Sequence, residues 1–323
     1  MSKEHILKSL EKLELSIIIP VYNNEDDLNE LYGRLKDTME NELRISYEII
    51  FVDDGSTDNS WNILEDLCKK NYIVKGIKFT RNFGQHPAFM AGLKHAIGSG
   101  AILMDADLES LPEDIGKLLA KAKEGFEMVH GIRERRKGNP IRIIGAKIYY
   151  WLLRKLLKVS WPDAGAPLRY ISRKVIDETI KIPEQSNYIV VLMIWLGFKQ
   201  TYVLTGHNKR KEHRSHYSYW KLFKMTLDLI LGFNTSILRL ITGTGFFISF
   251  VVFVIGIYYL IVKLLYNKVL PGFSSIILSI TFLFGVTFIF LGVISEYLAK
   301  LFISSQGKPY YVIDRRKNFS EYN

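Results

Sequence analysis

Cysteine is almost missing: Cys68 is the only one in 323 residues. A single thiol excludes an internal disulfide framework. It falls in the helical-looking run Ile63–Cys68 and reads as a buried spectator. Met1 to Glu14 is charged and mixed and shows no cleavable-signal pattern. There is no internal repeat and no low-complexity tract. No Gly-x-Gly-x-x-Gly follows the first apolar strand, so the dinucleotide fingerprint of an oxidoreductase is absent. His207, His213 and His216 have no cysteine or matched histidine pair with which to complete a zinc site.

What the chain has in surplus is apolar residues, at 48%, and positive charge, at a formal +10. Such a charge suits nucleic acid, an anionic membrane surface or a polyphosphate substrate. Residues 3–13 have amphipathic helical spacing. From Leu15 onward, apolar strands alternate with helices. The strands are Leu15–Val21 (ended by Pro20), Tyr47–Val52, Val74–Phe79, Ala101–Met104 and Glu127–Gly131. The helices span Glu25–Glu40, Ser60–Lys69, Pro87–Ile97 and Pro112–Lys123. This alternation predicts an α/β fold, a mostly parallel sheet with helices on both faces.

Carboxylates gather where these strands end. Asp105 and Asp107 follow the fourth strand, and two close carboxylates persist best with a divalent cation between them. Oxygen ligands favour Mg²⁺ or Mn²⁺, usually shared with phosphates. Asp53 and Asp54 end the second strand, where a carboxylate can hold a base N–H or ribose hydroxyls. Pro20-Val21-Tyr22-Asn23-Asn24 ends the first with an aromatic face and amides. Three strand ends on one sheet edge make one cleft, with the inventory of a nucleotide-diphosphate donor site.

The C-terminal third is of another kind. Ile141 to Val159 is a basic amphipathic stretch with aromatics, as is Tyr217 to Phe233, and both suit a membrane surface. Leu240–Val262 carries no charge for about 23 residues, roughly 34 Å as a helix. Val269–Ser295 is also long enough to span. Lysine and arginine flank the pair, and positive-inside counting puts both termini in the cytosol. The +10 balance is then a matter of membrane and phosphate, with no nucleic acid partner.

Four segments carry a resemblance: Ile18–Asn23, Phe51–Asp58, Arg81-Asn82-Phe83-Gly84 and Met104–Leu108. They look like family 2 glycosyltransferases of the GT-A fold, a Rossmann-like architecture. More narrowly, the chain resembles polyprenyl-phosphate glycosyltransferases related to dolichol-phosphate mannose synthase, in the bacterial undecaprenyl-phosphate branch with two C-terminal membrane helices. The resemblance runs from about Leu15 to Val312. It implies an inverting, metal-dependent transferase that moves a sugar from a nucleotide diphosphate, commonly a UDP-sugar, to undecaprenyl phosphate for cell-envelope glycan modification.

Residue by residue, the resemblance implies that Pro20, Tyr22, Asn24 and Asp53 contact the nucleotide, with Asp54 in support. Asp105 and Asp107 hold Mg²⁺ or Mn²⁺ and the diphosphate, with Ala106 and Glu109 lining the site. Arg133 meets donor or acceptor phosphate. Asp163 sits near the transferring sugar, as an orienter or optional base. Arg169, Arg210, Ser215 and Tyr217 hold the lipid phosphate. Relatives have glutamate at Asn24, and Ser110, Ala166, His213 and His216 also depart from the pattern, which leaves the sugar open. A processive polysaccharide synthase would carry Gln-x-x-Arg-Trp and more spans, and neither is present. An inactive membrane scaffold would be favoured by loss of Asp105 or Asp107, and both are present.

The expected organisation is an N-terminal helix at 1–14 and a cytosolic catalytic domain at 15–216. A juxtamembrane helix at 217–236 and two spans within 237–299 (about 240–262 and 272–295) follow, then a cytosolic tail at 300–323. The expected location is the inner membrane, multi-pass. By analogy with relatives a homotetramer is expected, with Tyr310–Ile313 free to pair with a neighbouring copy.

Overall fold

The computed structural model describes residues 13–133, 168–182, 189–206 and 272–319, with scattered helical positions between 243 and 265. The chain divides into two units, one of Met1–Tyr217 with Pro309–Asn323 and one of Ser218–Lys308.

Among the described residues, the first unit is built on a sheet of eight strands. They are β1 (Leu15–Val21), β2 (Tyr47–Asp53), β3 (Val74–Phe79), β4 (Gly100–Leu103), β5 (Met128–Arg133), β6 (Leu168–Ser172), β7 (Gln200–Thr205) and β8 (Ile313–Lys317). Their spatial order is β7-β5-β6-β4-β1-β2-β3-β8. The β4-β1-β2-β3 block is parallel, while β6 and β8 run against their neighbours. A parallel strand covered by helices on both faces reads as a continuous apolar run, and β2 is buried at every position.

One face is covered by α1 (Leu28–Asp37), α2 (Ser60–Lys70) and α4 (Ile115–Lys123), packed on Ile17, Ile19 and Phe51. The other is covered by α3 (Gln85–His95), α5 (Arg173–Lys181) and α6 (Ile189–Trp195), packed on Ile18, Ile50 and Leu103. This is the fold class that the alternating pattern predicts. Burying each isoleucine or leucine in these layers contributes about 1.5–3 kcal/mol.

Several boundaries move. Pro20 does not end β1, which continues to Val21. The Met104 amide donates to the Ile18 carbonyl, and β4 stops opposite Ile18. Pro20 therefore turns its missing N–H toward a flank where the ladder is already over, so no ladder hydrogen bond is lost. The helix expected over Glu25–Glu40 starts at Leu28 and gives way to a π-helical turn at Thr38–Leu43. Pro112–Asp114 is a 3₁₀ turn leading into α4. β6, β7 and β8 add to the five strands read from the sequence. The last of these corrects the view of 300–323 as a tail: Ile313–Lys317 pairs antiparallel with the chain's own β3.

In the second unit, α7 (Phe273–Ser305) has 33 residues and outruns the expected span at 272–295. Its stretch Phe282–Ala299 has a mean hydropathy of 1.9, and none of it is buried. Among the described residues it is the one helix long and apolar enough to cross a membrane. The first expected span, about 240–262, lies mostly outside the described residues, as do the amphipathic stretches 141–159 and 217–236.

Candidate functional site

Because β1 to β4 run parallel, their carboxyl ends share one edge, where open α/β sheets take ligands. The β1 and β2 loops are laced together there. Asn23 stands in the left-handed region at φ 54°. This geometry is tolerated by asparagine better than by most side chains. The Asn23 amide donates to Ser56 Oγ (3.1 Å), and its own Oδ1 accepts from the Thr57 amide (2.9 Å). Asn24 Oδ1 accepts from the Tyr22 amide at 3.2 Å, so this expected donor contact also braces its own loop. Tyr22 is left 47% exposed, an aromatic face open to a ligand.

Asp54 ties in the loop after β3. Its two oxygens accept from the amides of Phe83 (2.6 Å) and Gly84 (2.8 Å). That loop presses close on the β2 turn. A Cβ at Gly55, which sits at φ +70°, would lie 2.4 Å from the Arg81 carbonyl carbon. Gly55→Ala is therefore expected to cost about 1–3 kcal/mol of stability through backbone strain and to weaken ligand binding at this edge. Thermal unfolding of the purified variant checks the first effect and calorimetric titration the second.

Beyond β4, Asp105 and Asp107 sit half-buried at the same edge, flanking the buried Ala106. Gln85, the first residue of α3, donates from Nε2 to Asp105 Oδ1. Asp107 Oδ1 accepts the Glu109 amide at 3.1 Å, through a turn that puts Leu108 at φ 56°. A left-handed backbone conformation at a leucine is strained, and strain of this kind concentrates at functional sites.

The profile of glycosyl transferase family 2 matches residues 16–180, which takes in both acidic strand ends. The chain belongs to that family. It is 34% identical over 302 residues to an uncharacterised glycosyltransferase of Synechocystis sp., covering 93% of this chain and 95% of that one. It is 33% identical over 308 residues to the undecaprenyl-phosphate 4-deoxy-4-formamido-L-arabinose transferase of Shewanella sediminis, covering 93% and 92%. To the bactoprenol glucosyl transferase of Shigella phage SfV it is 31% identical over 306 residues, covering 94% and 99%.

Two buried carboxylates set the edges of the transferase sheet apart. At the amino edge, Glu48 has two donors on one oxygen and a lysine ammonium beside the other. Ser16 Oγ and the Ile97 amide donate to its Oε1, at 2.5 and 2.9 Å, and Lys75 Nζ lies 2.6 Å from its Oε2. At the carboxyl edge, Asp53 is 0% exposed, and its Oδ1 takes the Ser56 amide at 3.0 Å. Its Oδ2 is buried with no hydrogen-bond partner among the described residues. Burial pushes the Asp53 carboxyl above its ordinary range, against the pull of Ser56 and Lys78. Burial also raises Asp54, against the two amides that hold it. A buried acceptor left without a donor costs about 1–3 kcal/mol, which the fold alone does not require.

A divalent ion fits Asp105 and Asp107 in one specific way. Among the described residues no three His, Cys, Asp or Glu side chains form a cluster that could hold a metal by themselves. Two carboxylates suit an ion such as Mg²⁺ that completes its shell with waters and substrate phosphates.

Arg169 is only 5% exposed, in register with Leu103 on one side and His130 on the other. Its charge helps depress His86 to about 4 and His130 to about 3, with burial as the larger cause for both. Both histidines are neutral at pH 7, and Arg169 is the cation among them. A histidine whose folded pKa lies below its unfolded one gives stability that is complete above about pH 6.5 and is lost on acidification. Unfolding free energy is expected to fall below pH 6.5 by up to about 1.4 kcal/mol per pH unit for each histidine. In His130→Gln that slope is expected to shrink, as denaturant titrations from pH 7.5 to 5 would show.

Arg133 closes β5, paired in register with Thr205. Asp163, Arg210, Ser215 and Tyr217 lie outside the described residues. Two residues here were not singled out from the sequence, Gln85 and His86, while Asn23 was read only as part of the stretch that ends the first strand. Gln85 and His86 follow directly on Arg81-Asn82-Phe83-Gly84, and that position was the available signal.

Proposed function

We propose that this transferase moves a sugar from a nucleotide diphosphate to undecaprenyl phosphate, with inversion at the anomeric carbon. The carrying observation is the convergence of Asp53, Asp105 and Asp107 from two parallel strands on one edge. The names of the Shewanella sediminis and Shigella phage relatives support the lipid acceptor. The exposed apolar helix α7 supports a membrane setting, and the first expected span, at about 240–262, would complete a hairpin with it.

In this reading the Asp53 carboxylate accepts from the base or the ribose hydroxyls, and Tyr22 covers the base. Asp105 and Asp107 hold Mg²⁺ or Mn²⁺, which when bound neutralises charge on the leaving diphosphate. Gln85 and the Glu109 amide fix these two carboxylates in place. The acceptor phosphate has a second pKa of about 6, so its oxygen is already anionic at pH 7 and needs little help from a base. That oxygen attacks the anomeric carbon from the face opposite the nucleotide. The bond to the β-phosphate oxygen breaks, and a nucleoside diphosphate leaves. Asp163 orients the sugar. Arg133, Arg169, Arg210, Ser215 and Tyr217 serve the acceptor phosphate, for which arginine's two-pronged fork is suited.

The test is incubation of membranes carrying the protein with labelled nucleotide sugars and undecaprenyl phosphate. Label in a lipid-linked monosaccharide, lost on chelation of divalent ions, is expected. Label in polymer, or no label with any donor, contradicts the proposal.

A further inference from the structure

The segment after α7 has no part in the donor site described above, yet it is bonded to the loop that helps build it. Only residues 306–308 separate the end of α7 from Pro309, where the chain rejoins the first unit. β8 then lies along β3, with Ile77 opposite Arg316 and Phe79 opposite Ile313. Its far end is fastened firmly. Asn318 Nδ2 donates to the carbonyls of Cys68 (2.7 Å) and Val74 (2.8 Å), and Lys317 Nζ reaches Glu65 at 2.5 Å.

The near end continues past the strand toward the cleft edge. The Thr80 amide donates to the Val312 carbonyl at 3.1 Å. The Tyr311 ring stacks on Phe79, with centroids 5.0 Å apart and planes 14° apart. Phe79 meets Phe83 edge-on at 5.7 Å. Phe83 and Gly84 are the residues whose amides Asp54 accepts, and Gln85, next in the chain, donates to Asp105. One continuous path of contacts thus runs from the strap at 309–319 through two phenylalanines to both acidic strand ends.

We propose that Tyr311 is a positioning residue for the donor site: its ring fixes Phe79 and Phe83, and through them the 81–85 loop that sets Asp54 and Asp105. This rests on the reading of that edge as a nucleotide-diphosphate site. The ring does the work, since its stack involves the aromatic face, so phenylalanine should replace it. Lys317 secures the same strand at its other end, half-buried and paired with Glu65, and so reports on simple loosening of the strand.

The experiment uses the full-length protein in lipid nanodiscs, as wild type, Tyr311→Ala, Tyr311→Phe and Lys317→Ala. Two quantities are read: hydrogen exchange at the amides of Phe83 and Gly84, and the affinity for UDP and for GDP in the presence of Mn²⁺. Tyr311→Ala is expected to speed exchange and weaken nucleotide binding, each about 3- to 10-fold, the size of one aromatic pair. Tyr311→Phe should restore both, and Lys317→Ala should change neither. Unchanged exchange in Tyr311→Ala overturns the proposal. So does faster exchange with unaltered nucleotide affinity, or an equal loss of affinity in Lys317→Ala. A wild type that binds neither nucleotide would refute the donor-site reading, and the exchange comparison would then decide the strap's hold on the loop by itself.

Discussion

Asp105→Ala lowers sugar transfer by a factor on the order of 10²–10³, the usual loss when one preorganised charge-stabilising group is removed from a transition state. The size follows from what the side chain does. It is one of two carboxylates at the end of β4, and Gln85 holds its Oδ1. In the proposed reading, an ion held by Asp105 and Asp107 would lose one of those two carboxylates. The fold should tolerate the change, because Asp105 is half-buried in a loop while the β4 core residues Ile102 and Leu103 are untouched. Turnover with undecaprenyl phosphate and the identified donor checks the first expectation, and an unaltered melting temperature the second. Gln85→Ala should fall between wild type and Asp105→Ala, since it frees the carboxylate without deleting it.

Asp53→Asn is expected to produce two opposite effects. Nucleotide binding should drop by about tenfold or more, because a buried charged acceptor forms hydrogen bonds stronger than a neutral one. Thermal stability without ligand should rise at pH 7. Burial raises the Asp53 pKa, so the folded state holds its proton more tightly than the unfolded chain does. For such a group stability declines as pH climbs from the unfolded value toward the raised one, and the ionised form is a liability above it. The amide removes that liability. The advantage of Asp53→Asn over wild type should therefore shrink on acidification, as wild-type Asp53 takes up its proton. Melting curves at pH 7 and pH 4.5, with nucleotide titrations of both proteins, test the pair of effects together. A residue whose replacement stabilises the protein while weakening binding is one retained for its ligand.

The parts of the fold that sequence reveals are those where local chemistry decides. β1, β2 and β3 are apolar runs closed by turn residues, and their parallel register follows from the helices between them. Asp53, Asp105 and Asp107 stand out because acidic residues at the ends of buried strands have no packing reason to be there. β6 is harder to see. Leu168-Arg169-Tyr170-Ile171-Ser172 carries a buried arginine, and what makes it a strand is its place between β4 and β5, which only the assembled sheet supplies. β8 is less visible still. Ile313-Asp314-Arg315-Arg316-Lys317 is mostly charged and exposed, as edge strands often are, and its charge hides it from any hydrophobic pattern. The anchoring of Phe83 and Gly84 by Asp54 has no signature in sequence either, because it joins residues 29 and 30 positions apart.

The most direct measurement is phosphorus NMR of the nucleotide-diphosphate donor bound to the full-length protein, titrated with Mn²⁺. A paramagnetic ion held by Asp105 and Asp107 beside the diphosphate should broaden both phosphorus lines in the wild type at substoichiometric metal. The Asp105→Ala, Asp107→Ala double variant should show only the broadening that free Mn²⁺ gives the free donor. Equal broadening in the two proteins, or donor bound to the wild type with its phosphorus lines unaffected by Mn²⁺, would contradict the assignment of this sheet edge as a metal-assisted sugar-donor site.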